Sequence, residues 1–310
     1  DWLDDRKLLW PAAPPPVLPK AMPYLKRLRG IRAVTWDVYG TLLSVPEGRL
    51  LSLPSDPLRM EIALDKTIHE FNMWNSMSRK PGAPWEYMFQ QYKRLVEAAQ
   101  LAASPRPGEA PEIDSAHIWK VLIERLGKKE FSWDEAFFGD IDELSEKVAW
   151  FFHASLQGVV AAPNALGALK HVRRAGLKQG LIADGQCFTL VQLARALHVQ
   201  GSVPSFSKLF SREGVCLSFQ FGVRQPAATL FETWLERMAR RRISADEVLY
   251  VAPRLKENLR PARRLGMRTA LYAGDAASLE ATSAELKDPE LRPDRILTDL
   301  RQIRQIVKAD

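Results

Sequence analysis

Ile31–Leu43, IRAVTWDVYGTLL, is the stretch that decides the fold. Ile31 to Trp36 is rich in β-branched and aromatic side chains and too short for an independent helix, so it predicts an interior strand. Asp37 then falls at the carboxyl end of that strand. In open α/β sheets ligands bind in the crevice beyond the carboxyl ends of the strands, which makes an acid there a candidate nucleophile. Standing alone, the same Asp also reads as a turn former. Gly40 permits a tight turn, and Thr41 supplies a hydroxyl that can bond back into it.

Working outward, four further segments alternate strands, loops and helices. Pro163–Gln186, PNALGALKHVRRAGLKQGLIADGQ, gives a helix, a glycine turn and a strand ending at Asp184-Gly185. Phe221–Glu232, FGVRQPAATLFE, gives a loop and the start of a helix, and Val248–Thr269, VLYVAPRLKENLRPARRLGMRT, gives a strand, a loop, a helix and a Leu-Gly-Met turn. Pro293–Ile303 gives a short strand and helix.

In order and spacing these four landmarks resemble the motifs of the haloacid dehalogenase-like (HAD) hydrolases. The resemblance implies a Rossmann-like parallel α/β core with an inserted all-helical cap. Residues 31–44 and 158–310 would form the core, residues 45–157 the cap, and residues 1–30 a proline-rich arm. It also implies that Asp37 is the position that attacks phosphorus or carbon to form an aspartyl intermediate. Several motif positions differ from the family's usual residues. Where the second motif has Ser or Thr to hold a phosphoryl oxygen, this chain has Ala183, followed by Asp184. Gln225 stands for the third motif's Lys, Ala252-Pro253 for the fourth motif's Gly-Asp pair, and Asn258 for its second acid. Tyr39 replaces the acid two residues after the nucleophile, as it does in the family's metal-free 2-haloacid dehalogenases.

Mg²⁺ takes oxygen ligands in near-octahedral geometry and is normally anchored by carboxylates. Pro253 offers no side-chain oxygen, so Asp37 and a backbone carbonyl near Tyr39 remain as ligands, and no cofactor is expected. Losing one preorganised donor typically costs roughly 10²–10³ in rate, so losing the hydroxyl, the ammonium and the metal anchor together would remove most phosphoryl-transfer catalysis. The leading expectation is a HAD-like protein with weak or absent Mg²⁺-dependent phosphatase activity, a possible pseudoenzyme. Two alternatives stay open: a metal-independent hydrolase or dehalogenase of a small acid through Asp37, and a non-catalytic protein that binds through its cap cleft or basic face. The candidate site is Asp37 and Tyr39 for chemistry, with Thr41, Asp184, Gly185, Arg224, Gln225 and Asn258 meeting substrate. Asp184 reads equally as a second crevice carboxylate or as a cap of the helix that follows. Arg224 reads as a displaced positive charge or as a solvated loop arginine.

Between the first landmark and the second, the apolar period becomes helical over Leu58–Met73, Trp85–Ala103, Ser115–Leu126 and Ile141–Leu156, with a loop at Pro105–Pro111. Trp74, Trp85, Trp119, Trp133 and Trp150 sit in this region, as cap core or as pocket lining. The five histidines show no metal-ligand spacing. The prolines of the first 26 residues predict an extended arm docked on the body.

At 46% hydrophobic and 26% charged residues the chain of 310 is globular, with core enough for one large or two modest domains. Two cysteines make no disulfide scaffold. The start, DWLDDRKLLW, lacks both the pattern of a secretory signal and an initiator Met, so it reads as a processed or trimmed chain, and a cytoplasmic setting is the default expectation. Charge is uneven: Arg237 to Arg268 holds ten Lys/Arg against three Asp/Glu, an excess equal to the +7 of the whole chain. That face is a candidate surface for nucleic acid or another polyanion, with a plain solvated basic face as the alternative.

Overall fold

The computed structural model describes residues 2–77, 82–102 and 106–307. A single turn, α1 (Trp2–Asp5), opens an extended arm that leads into β1 (Ala33–Trp36), buried at every position, and then β2 (Leu43–Ser44). Next come α2 (Pro57–Glu70), α3 (Pro84–Leu101), the short strand β3 (Ala110–Pro111), α4 (Ser115–Gly127), α5 (Glu135–Phe138) and α6 (Ile141–Leu156). Pro57 and Pro84 open the first turns of their helices, where no N–H is needed. The side chains of Asp56, Asp114 and Asp140 accept from first-turn N–H groups of α2, α4 and α6. The apolar stripes of these helices meet in a core of their own. At its centre Tyr92, Trp119 and Phe152 interlock with ring centroids 5.0, 5.2 and 5.8 Å apart.

Two expectations shift here. The helix expected over Leu58–Met73 stops at Glu70, because Asn72 turns left-handed (φ 53°), and Met73–Met77 form a separate tight turn. The expected loop at 105–111 contains a strand, since Ala110 and Pro111 pair with another segment; Ala103 and Pro105 lie outside the described residues.

The chain returns through β4 (Val160–Ala161), α7 (Ala165–Arg174), β5 (Lys178–Ala183), α8 (Thr189–Val199), α9 (Phe206–Leu209), β6 (Val215–Leu217) and β7 (Val223–Arg224). It closes with α10 (Ala228–Ala239), β8 (Val248–Ala252), α11 (Arg260–Arg264), β9 (Arg268–Tyr272), β10 (Arg295–Leu297) and α12 (Ile303–Ile306). Six strands form one parallel sheet in the order β10-β9-β8-β1-β5-β6. Alternate residues serve opposite faces, as the pleat requires. Val34, Trp36, Leu181, Leu249 and Val251 pack on one side with α7, α8 and α12, while Ala33, Ile182, Tyr250 and Ala252 pack on the other with Phe231 and Trp234 of α10.

This topology positions the site. Trp36 at the end of β1 lies opposite Leu181 of β5 and Val251 of β8, so the residues that follow all three strands emerge at one edge of the sheet. The helical region joins the sheet at the same edge. β2 pairs antiparallel with β4 where the chain leaves and re-enters the core, and β3 pairs antiparallel with β7. No described helix is long and apolar enough to cross a membrane.

Candidate functional site

The residues after β1, β5 and β8 are Asp37, Asp184 and the pair Pro253-Arg254. Asp37 is 2% exposed; its Oδ1 accepts from the Val38 N–H at 2.9 Å. Its Oδ2 faces the Arg254 guanidinium, with Nη1 at 3.3 Å. Arg254, only 5% exposed, is fixed from three sides: Nη1 on Asp37, Nε donating to Glu280 Oε1 at 3.3 Å, and Nη2 donating to the Gly48 carbonyl. Burial raises the pKa of Asp37 to about 7, against the pull of Arg254 and with the push of Asp184.

A cavity of about 240 Å³ opens over this pair. Its core side is Asp37, Asp184, Gly185, Gln225, Arg254 and Glu257. Arg49, Glu112 and Ile113 close it from the connections that carry the helical region, and Arg224 stands at its rim. Asp184 Oδ1 accepts from the Gln225 N–H at 2.8 Å. Helix α8 begins without a side-chain cap, so Asp184 acts as a crevice acid and does not cap that helix. Burial raises the pKa values of both Asp184 and Glu112, and Asp184 adds its repulsion to Glu112. Glu112 is held by the Ile113 N–H at 2.7 Å, and its backbone N–H donates to the Gly222 carbonyl beside the β3–β7 pair. Gln186 ties the two sides together, with Nε2 donating to the Ile113 carbonyl at 2.9 Å and Oε1 accepting from the Ser115 N–H at 2.8 Å.

Beneath the cavity lies a neutral amide network. Gln225 Nε2 donates to the Tyr250 hydroxyl at 2.7 Å, the Tyr250 hydroxyl to the Ile182 carbonyl at 2.9 Å, and Asn258 Nδ2 to Gln225 Oε1 at 2.6 Å. Asn258 Oδ1 accepts from the Arg254 N–H at 3.2 Å, within a wide π-type turn over Leu255–Leu259. The network satisfies its buried polar atoms without any charge.

Among the comparisons with known proteins, one superposition with a solved structure bears on the architecture. No protein-family model matches the chain. The 2-haloacid dehalogenase of Pseudomonas syringae pv. Tomato DC3000 superposes with a TM-score of 0.55, covering 89% of this chain and 97% of that one at 17% identity. The chain has the haloacid dehalogenase-like fold. A HAD phosphatase from Thermococcus onnurineus covers 90% of this chain and 99% of its own at 15% identity, with a TM-score of 0.49. In sequence, the glyceraldehyde 3-phosphate phosphatase of Methanocaldococcus jannaschii is 28% identical over 146 residues, 47% of this chain. The match spans 56% of that relative, so only about half of its length is represented.

Within this haloacid dehalogenase-like fold the residues expected at the site fall into two groups. Asp37, Tyr39, Asp184, Gly185, Arg224 and Gln225 line the cavity. Thr41 and Asn258, expected to meet substrate, do not. Thr41 is fully buried in the turn after Asp37, and Asn258 is spent on the amide network. Tyr39 presents its ring to the cavity but turns its hydroxyl into the protein, where it donates to Gln192 Oε1 at 2.7 Å and lies 3.0 Å from Thr189 Oγ1. Burial pushes its pKa above the usual tyrosine range, so it is a poor proton donor or acceptor for a substrate. None of the five tryptophans of the helical region is among the described lining residues.

Position in the sequence puts Arg254 with the basic surface, and the structure corrects this: the side chain is buried against Asp37 and adds nothing to that face. Arg49, Glu112 and Glu257 also belong to the cavity, and no local sequence pattern marks them. The Mg²⁺ implied by the resemblance does not suit the donors present. Pro253 has no side-chain oxygen, a guanidinium already neutralises Asp37 Oδ2, and no group of three acids, histidines or cysteines among the described residues converges to hold a metal.

Proposed function

We propose that the cavity serves a small-molecule ligand without a divalent metal, and that Mg²⁺-dependent phosphatase activity of this chain is weak or absent. One observation carries the reading: the buried Arg254 guanidinium, 3.3 Å from Asp37 Oδ2, supplies the positive charge that a metal would otherwise bring to that carboxylate. A dication approaching Asp37 would meet a fixed like charge in a poorly solvated pocket, where such repulsion is weakly screened. Gln225 and Asn258 fit this environment because each satisfies the other as a neutral amide.

The retained carboxylate favours a second reading, metal-independent hydrolysis of a small acid through Asp37. The acid lines the open cavity, and with a pKa near 7 a substantial part of it is ionised at neutral pH. A panel of phosphate esters, glyceraldehyde 3-phosphate among them, and 2-halo acids, assayed with and without Mg²⁺, tests both. The expected result is no stimulation by Mg²⁺. Turnover without metal that is lost in Asp37→Asn selects the hydrolytic reading. Mg²⁺-stimulated turnover lost in the same variant overturns the proposal.

A further inference from the structure

The charge pattern of the same cavity narrows its ligand, an inference that rests on the metal-free reading of that cavity. Seven acidic or basic side chains line it, four acids and three arginines, and they differ in how far their charges are already matched. Arg254 is matched by Asp37 and Glu280. Arg49 is matched by Glu257, at 3.4 Å, and by Glu280. Three groups remain. Arg224 is exposed at the rim and makes no ion pair among the described residues. Asp184 and Glu112 approach from opposite sides, one after β5 and one beside β3; hydrogen bonds from Gln225 N–H, Ile113 N–H, Gln186 Nε2 (3.4 Å) and the Ser218 side chain support them, and the charges of Arg224 and, for Asp184, Arg254 act on them without a direct ion pair. The two carboxyls repel each other, and both hold their protons more tightly than usual.

A lone anionic ligand would satisfy Arg224 and worsen the position of the two acids. A lone cation would do the reverse. We infer that the cavity takes a small zwitterion of the amino-acid class, its ammonium received between Glu112 and Asp184 and its carboxylate by Arg224. The size agrees: about 240 Å³ is below the range of drug-sized sites and suits a small metabolite. The ordering of the acids also agrees, because an ammonium donates up to three hydrogen bonds and two carboxyls from different elements accept them from different directions.

The test uses the full chain and the common L-amino acids as probes, screened at millimolar concentration by thermal shift and followed by titration calorimetry. At least one is expected to bind. Its α-hydroxy acid, which lacks the ammonium, and its amino alcohol, which lacks the carboxylate, should each bind at least tenfold more weakly. Glu112→Gln should erase the preference over the hydroxy acid and keep that over the amino alcohol; Arg224→Met, at an exposed position, should do the opposite.

Calorimetry at pH 6.5 in two buffers of different ionisation enthalpy adds a readout that a purely structural role would not move. An ammonium between two partly protonated carboxyls drives protons off them, so binding should release protons, and less so in Glu112→Gln. Asp37, Glu257, Arg49 and Arg254, the other charged groups facing the cavity, are unchanged in that variant. Binding of no amino acid, equal binding of the hydroxy acid, or proton uptake overturns the inference. None of these outcomes bears on Mg²⁺ dependence, so the metal-free reading stands or falls by its own assay.

Discussion

Asp37 has an unusual linkage to stability. Its pKa in the folded protein is about 7, raised from an ordinary value of 3.8 by burial, so the folded state holds this proton more tightly than the unfolded state does. The stabilisation is therefore fully present below pH 4 and is lost as pH rises through 7. Asn cannot titrate. Below pH 7 wild type already carries the neutral acid, which the amide resembles; above it, wild type bears the cost of ionising a buried carboxyl, and Asp37→Asn does not. The stability of the variant relative to wild type should therefore improve by about 1–3 kcal/mol between pH 5 and pH 8. Denaturant unfolding at the two pH values measures it, and a pH-independent difference would show that Asp37 does not carry this strained proton equilibrium. At this scale the sequence exposed Asp37 and hid Arg254. An acid after an apolar run followed by Gly and Thr is a local pattern. An arginine two residues beyond a strand looks like any surface arginine until the neighbouring strand is known. The available signal was position: Arg254 follows the end of β8, and β8 lies beside β1.

The elements were legible where periodicity is strong, as for the helices at Ser115–Gly127 and Ile141–Leu156 and the strand at Ala33–Trp36. They were illegible where partners far apart in sequence create them. Ala110-Pro111 becomes a strand only because Val223-Arg224 lies alongside, and that pairing brings Glu112 to the cavity. The loop between β2 and α2 is another such case. Gly48 has φ +71°, and a Cβ there would overlap the Ala277 carbonyl, which belongs to the loop after β9. The bare glycine lets the two loops touch and leaves the Gly48 carbonyl free to accept from Arg254. Gly48→Ala should therefore cost about 2–4 kcal/mol, combining left-handed strain with a clash against backbone that cannot rotate away. A loss under about 0.5 kcal/mol, the range of an ordinary surface change, would mean that the two loops do not pack against each other.

Across the whole molecule the arm does more than its proline content announced. Trp2 stacks on Phe71 and meets the edge of Trp150, while Leu3 is buried among the helices of the cap region. Trp10 spans the junction: its ring packs edge-on to Trp150 of α6 at 5.4 Å and against Phe188, before α8, at 5.5 Å, and its Nε1 donates to the Gln157 carbonyl at 2.7 Å. Further on, the Val17 carbonyl accepts from Ala276, and Tyr24 bridges antiparallel to Ile296 on the edge strand β10. The arm thus straps the helical region to the sheet across the segment where the chain passes from α6 into β4. One close approach is at Gly158, where a Cβ would lie 2.7 Å from the Ala12 carbonyl oxygen. Gly158 has no left-handed φ, so Ala suits its backbone and the conflict is with the arm alone. Gly158→Ala should lift the arm locally and break the 2.8 Å bond from the Val159 N–H to the Pro11 carbonyl. Hydrogen exchange at Val159 is then expected to quicken by about tenfold or more, with the amides of β1 unchanged, because a strap that opens locally exposes only the groups beneath it. Unaltered protection at Val159 would mean that the arm rests on the surface and does not hold the two parts together.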